Sequence, residues 1–127
     1  MILTFSKDVF VERILNGTKK HTIRKDNTNR WKKGMKIHFW RGNPRNVKNN
    51  PYQFAEGLVV DIAQIQIFPN HNQVLISFDS DKYSVFSTKE VLNDIARNDG
   101  FENWEEMKEW FNEDFIGKII IWGNINE

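Results

Sequence analysis

The stretch Gly17-Thr18-Lys19-Lys20-His21-Thr22-Ile23-Arg24 marks a change of backbone regime, and the fold is read outward from it. A helical pattern runs into it and an alternating pattern runs out. Glycine takes the left-handed cap conformation without a Cβ clash, so Gly17 reads as the helix stop. The residues after it read as extended, with alternate side chains on opposite faces. His21 and Ile23 then share one face, Lys20, Thr22 and Arg24 share the other, and Lys19 sits at the bend. A basic, hydroxyl-bearing row beside a bend suits an anionic or carbonyl-bearing ligand.

Upstream, Met1–Phe5 alternates and reads as a first strand. Ser6 is placed to cap a helix with Asp8 in its first turn. Phe10, Val11, Ile14 and Leu15 give that helix, from about residue 7 to 16, one apolar stripe. Downstream, 25–30 is polar and turn-prone, and Trp31 and Gly34 flank Lys32-Lys33. Met35–Arg41 reads as a strand with Met35, Ile37 and Phe39 on one face and Lys36, His38 and Trp40 on the other. Trp40 on the charged face either offers a stacking surface to a base or covers a second small core. Gly42–Tyr52 is a long polar loop, and long loops in compact domains are often functional or mobile. Arg41, Arg45 and Lys48 are within reach of phosphates from it.

Phe54–Phe68 is rich in β-branched residues. Its apolar phase is even at 58, 60 and 62 and odd at 65 and 67, which predicts a bulge or bend near Ala63-Gln64. Turns are expected at 69–72 and 79–82, with strands at Val74–Phe78 and, at an edge, Tyr83–Phe86. Ser87 and Glu90 fit a capping box, with Val91, Leu92 and Ile95 as that helix's apolar side. Asn103 and Glu106 fit a second, weaker capping pair. Trp104, Met107, Trp110 and Phe111 recur at helical spacing and read as core. Lys118–Trp122 is β-branched and apolar enough to be a central strand. The order implies an α+β domain over 1–127: a small, bent, mixed or antiparallel β-barrel with about three peripheral helices.

At 127 residues the length fits one domain, and 39% hydrophobic with 13% aromatic content supports a packed core. With no cysteine, disulfides, zinc–thiolate sites and thiol catalysis are excluded. No apolar run approaches the ~18 residues of a membrane span, and the N-terminus lacks the pattern of a signal peptide. A cytoplasmic protein is expected. The net charge of +1 hides an asymmetry: residues 1–50 hold 13 Lys/Arg against 3 Asp/Glu, whereas residues 51–127 hold 5 against 14. Either the basic half forms a face for a polyanion, or the halves pack together and neutralise each other.

The residues Ile14-Leu15-Asn16-Gly17-Thr18-Lys19-Lys20-His21-Thr22-Ile23-Arg24, Trp31-Lys32-Lys33-Gly34 and Asp99-Gly100-Phe101, with the 103–111 helix and the final apolar strand, resemble the ASCH family of PUA-like β-barrels. Members similar to this chain are known or suspected to bind RNA. One branch hydrolyses N4-acetylcytidine to cytidine and acetate with a lysine, a threonine and a carboxylate. By resemblance these fall on Lys19, Thr22 and Asp99, the last replacing that branch's glutamate.

Amide hydrolysis needs an attacking group, a stabilised oxyanion and a proton for the leaving amine. Thr22 offers the hydroxyl. Lys19 offers the base if burial and the neighbouring cations Lys20 and Arg24 lower its pKa. Asp99 offers the proton if an apolar site, such as one built by Phe101 and Trp104, raises its own. Arg24 or Lys20 is placed to steady an oxyanion or a phosphate. The expected function is recognition of RNA or a modified pyrimidine nucleoside in a basic cleft built by Lys20, Arg24, Lys32, Lys33, Trp40, Arg41 and Arg45. The alternatives are amide hydrolysis of N4-acetylcytidine and a protein-interaction module docking a basic partner on the acidic helices of 88–113. His21, His38 and His71 are far apart in sequence and no HExxH spacing occurs, so no metal and no cofactor is expected.

Overall fold

A computed structural model describes residues 1–79 and 81–127. The elements run in the order β1 (Ile2–Phe5), α1 (Asp8–Leu15), β2 (His21–Arg24), β3 (Lys36–Arg41), β4 (Tyr52–Phe68), β5 (Gln73–Asp79), β6 (Lys82–Phe86), α2 (Lys89–Asn98), α3 (Trp104–Trp110) and β7 (Phe115–Asn126). This is the expected succession of one strand, one helix, several strands, two helices and a returning strand. The class is α+β, with one mixed seven-stranded sheet.

β4 is the spine. Its first half pairs antiparallel with β3, its second half with β5, and β7 runs along its other side. β7 in turn pairs antiparallel with β2, β6 closes the far side on β5, and β1 joins β3 in parallel. The central place of β7 follows from its run Ile119-Ile120-Ile121, flanked by strands on both sides. β6 is an edge strand, as its polar sequence implies.

The ladder does not close. β1 and β2 are the free ends of the β1-β3-β4-β7-β2 run and share no register, so the sheet is open and the expected barrel closure is not seen. One side chain spans the seam: Arg24 Nη2 donates to the Thr4 carbonyl at 2.7 Å.

β4 does carry register irregularities, but not where the apolar phase places them. The buried residues are odd throughout: Ala55, Gly57, Val59, Ala63, Ile65 and Ile67. Leu58 and Val60 point outward and are 39% and 46% exposed. The register against β7 slips at Val60, not at Ala63-Gln64, and again opposite Asn124-Ile125, where Asn124 has φ +55°. Apolar type misled there, because outward-facing β-branched residues are acceptable on a strand. The expected turn at 79–82 includes Ser80, which lies outside the described residues.

Two helix caps also move by one residue. Lys7, not Ser6, occupies the α1 cap and makes no side-chain bond. Thr88, not Ser87, caps α2, its hydroxyl accepting from the Val91 amide at 3.4 Å. The Asn103 cap of α3 is as expected, accepting from Glu106 N at 2.9 Å. Gly17 is left-handed at φ +84°, as the helix stop requires.

One core fills the concave face of the sheet under the helices, with Ile14, Ile37, Phe39, Ile65, Ile67, Leu92, Met107 and Ile120 fully buried. Phe39 stacks edge-on to Trp122, ring centroids 5.0 Å apart. Trp31 joins this core, and the 26–31 turn before β3 is pinned to it by Asp26, whose carboxylate accepts from Arg30 N at 2.8 Å and Trp31 N at 3.0 Å. Among the described residues no helix is long and apolar enough to cross a membrane.

Candidate functional site

The seam between β1 and β2 is where the helices leave room. A hollow of about 280 Å³ opens there, walled by Phe5, Phe10, Phe101, Trp110 and Phe111 and carrying Lys19, Thr22, Arg24 and Asp99. Lys19 and Thr22 come from the bend and from β2, Asp99 from the end of α2. The path of the chain forces this meeting. Lys19 N–H donates to the Arg13 carbonyl of α1, and Lys20 N–H to the Asn98 carbonyl of α2. The bend after α1 is thereby stitched to the end of α2, and Asp99 arrives opposite Lys19.

Lys19 is buried, with 3% of its surface exposed. Its Nζ donates to the His21 carbonyl at 2.8 Å and to the Asp99 carbonyl, and lies 3.5 Å from Asp99 Oδ1. Three rings surround it: Phe10 at 5.1 Å, Phe5 at 5.6 Å and Trp122 at 5.8 Å from ring centroid to Nζ. Burial pulls the Lys19 pKa down from 10.5 to about 8; the Asp99 charge opposes the fall and Arg24 adds to it. A neutral amine at this position still has two N–H groups for the two backbone carbonyls, which leaves its lone pair free to take a proton.

Asp99 is also buried. His21 Nδ1 lies 3.1 Å from its Oδ1, so this carboxylate oxygen serves two nitrogens. Asp99 Oδ1 thus stands beside both the Lys19 amine and the His21 ring, where it is placed to hold the two in position. Gly100 makes room for this packing. It has φ +96°, and a Cβ there would stand 2.7 Å from Lys19 Cδ and 3.0 Å from Phe10 Cδ1.

Arg24 lies across the seam. Besides its bond to Thr4 it donates from Nε to Thr22 Oγ1 at 3.4 Å, and its guanidinium sits 5.1 Å from the Phe5 ring. Burial lowers its pKa, with Asp99 opposing; an arginine nevertheless stays charged.

The other sequence-predicted binding residues are elsewhere. Lys20 is exposed and does not line the hollow, whereas Thr22 and Arg24 do, although the Lys20 carbonyl still accepts from Trp122 N at 3.3 Å. Lys32, Lys33 and Arg45 are exposed and away from the hollow. Arg41 is paired with Asp8 at 2.7 Å. Trp40 is half-buried on β3, opposite Thr4 and Gln53, and does not line the hollow. Conversely, Trp110 and Phe111, read as core, are walls of the hollow, with Trp110 49% exposed. Trp110 packs against Phe10 and Phe101, ring centroids 5.7 and 5.9 Å apart, while Phe111 still touches the core. No sequence pattern pairs His21 with Asp99; only the histidine–carboxylate geometry discloses it. No group of three or more His, Cys, Asp or Glu suited to a metal ion occurs among the described residues.

Comparison with known proteins found no matching family model, no matching curated protein and no matching solved structure.

Proposed function

We propose that this chain is an ASCH-like domain that takes a pyrimidine nucleoside into the Lys19–Thr22–Asp99 hollow and hydrolyses the N4-amide of N4-acetylcytidine. The observation that carries the reading is that these three residues, up to eighty positions apart in sequence, line one aromatic-walled hollow in which Lys19 has a pKa of about 8. Rings and a few convergent polar groups are what small-ligand sites are made of.

The chemistry depends on which groups can move a proton. Neutral Lys19 takes the Thr22 hydroxyl proton as Oγ bonds to the acetyl carbon. The ammonium that Lys19 becomes lies beside the oxyanion and steadies it. The intermediate collapses, the carbon–nitrogen bond breaks, and Lys19 returns the proton to the departing N4, giving cytidine. A water then attacks the acetyl-Thr22 ester and gives its proton to Lys19. Oγ leaves as Lys19 returns that proton to it, which restores the Thr22 hydroxyl and the neutral amine, and the acetic acid released ionises to acetate. Asp99 holds Lys19 throughout. The test is acetate release from N4-acetylcytidine by the purified protein. Turnover should fall at least about 10²-fold in Lys19→Ala; release no faster than from that variant removes the enzymatic reading.

Recognition of the nucleoside within RNA is a second reading, favoured by the surface charge. Lys20, Lys32, Lys33 and Arg45 are exposed, and none is in a salt bridge among the described residues. RNA binding through them would weaken steeply with salt and on joint replacement of Lys32, Lys33 and Arg41. Binding indifferent to both excludes it.

A further inference from the structure

The charges of the hollow do not balance. Lys19 and Arg24 are cationic, and Asp99 is the one carboxylate that lines it among the described residues. That carboxylate is already shared between Lys19 and His21. Arg24 has no salt bridge among the described residues. Its protein partners are a hydroxyl and a backbone carbonyl, both neutral. Its third nitrogen, Nη1, has no protein partner, yet no buried side-chain nitrogen or oxygen is left unpartnered among the described residues. Nη1 is therefore accessible, on a residue that lines the hollow.

A partly buried guanidinium without an acid is costly unless something else pairs with it. The planar fork that Arg24 presents matches phosphate oxygens. Its position is fixed in advance, because Nη2 is anchored to Thr4 and the Phe5 ring lies against the cation, so little side-chain freedom remains to be lost on binding.

We infer that the ligand of this hollow carries a phosphate and that Arg24 is the group that pairs with it, which makes the substrate class pyrimidine nucleoside phosphates rather than bare nucleosides. This rests on the proposed nucleoside reading and deepens it. The phosphate belongs either to a mononucleotide or to an RNA strand, and at about 280 Å³ the hollow is sized for one nucleotide at a time.

The experiment is calorimetric titration of the full chain with cytidine, cytidine 5′-monophosphate, cytidine 3′-monophosphate and a short oligocytidylate, each at low and at raised salt. At low salt at least one phosphorylated ligand should bind about tenfold or more tighter than cytidine. That advantage should shrink with salt, while cytidine binding stays level. In Arg24→Gln the advantage should fall to within about twofold. A mononucleotide as tight as the oligocytidylate assigns the phosphate to a free nucleotide; a much tighter oligocytidylate assigns it to RNA. Equal affinity for cytidine and every phosphorylated ligand overturns the inference and leaves the nucleoside reading standing. Retention of the full advantage in a folded Arg24→Gln overturns the assignment to Arg24. Binding of none of the four removes the nucleoside reading and this inference with it. Arg24 also holds the β1–β2 seam, so should the variant fail to fold, the wild-type comparison and its salt dependence decide alone.

Discussion

Replacing Gly100 by alanine tests whether Lys19 is held as described. Two costs arise, and the structure separates them. The first is backbone strain: φ is +96°, and an L-residue in left-handed backbone costs about 1–2 kcal/mol. The second is crowding. The added Cβ would stand 2.7 Å from Lys19 Cδ and 3.2 Å from Lys19 Cγ. These are mid-stem atoms of a side chain whose Nζ is bound to two backbone carbonyls. Relief requires the stem to move and weakens at least one of those bonds, at about 1.5–3 kcal/mol for a hydrogen bond from a charged group. The expected loss is about 2.5–5 kcal/mol, or roughly 8–20 °C in Tm for a domain of this size. Gly17→Ala is the control. Gly17 has φ +84° with nothing within 4 Å of its notional Cβ, so it carries the strain alone. Urea denaturation of both variants gives the crowding by difference. Displacing Lys19 by ~1 Å should also cost about 10²-fold in N4-acetylcytidine turnover, whereas Gly17→Ala should leave turnover within about threefold. If Gly100→Ala is no less stable than Gly17→Ala, Lys19 does not pack against Gly100 and the reasoning fails.

The titrating groups give two further outcomes. Turnover should rise with pH and level off, with its midpoint near pH 8, because Lys19 works as the neutral amine; a rate that falls through pH 8 would contradict that role. The same group has a sign in stability. Its folded pKa lies below its unfolded one, so the folded chain sheds the proton first and Lys19's contribution becomes more favourable between pH 8 and 10.5. Urea midpoints of the wild type relative to Lys19→Met should therefore rise from pH 7.5 to 9.5. Asp26 behaves the opposite way. Burial alone would raise its pKa, but the Trp31 and Arg30 amides with Lys118 outweigh that and hold it low. Its contribution is present above the unfolded value near 4 and is lost as pH falls through the folded one. At pH 7, Asp26→Ala should cost about 1–3 kcal/mol by leaving two backbone N–H groups unpaired, read as a lowered urea midpoint, and a loss below about 0.5 kcal/mol would show that the turn does not depend on it.

What the sequence settled was local. The helix stop at Gly17, the Asn103 cap, the burial of Ile37 and Phe39, the central place of Ile119–Ile121 and the order of elements all depend on backbone preference or apolar periodicity within a few residues. So did the suspicion of Lys19, Thr22 and Asp99, which came from a motif and not from geometry. What required the tertiary structure was everything decided by pairing across distance. Val60 faces outward because β7 sets the register of β4, which no pattern within β4 reveals. Barrel closure is not seen because β1 and β2 share no register, and Arg24 bridges the gap between them. Trp110 becomes a wall of a hollow because Phe10 and Phe101, brought from other segments, pack against its ring. Lys19 acquires its pKa of about 8 from burial among Phe5, Phe10 and Trp122 beside Asp99, and burial is a property of the packed chain: a residue's charge can be read from its letter, but the solvent it loses depends on which distant segments close over it.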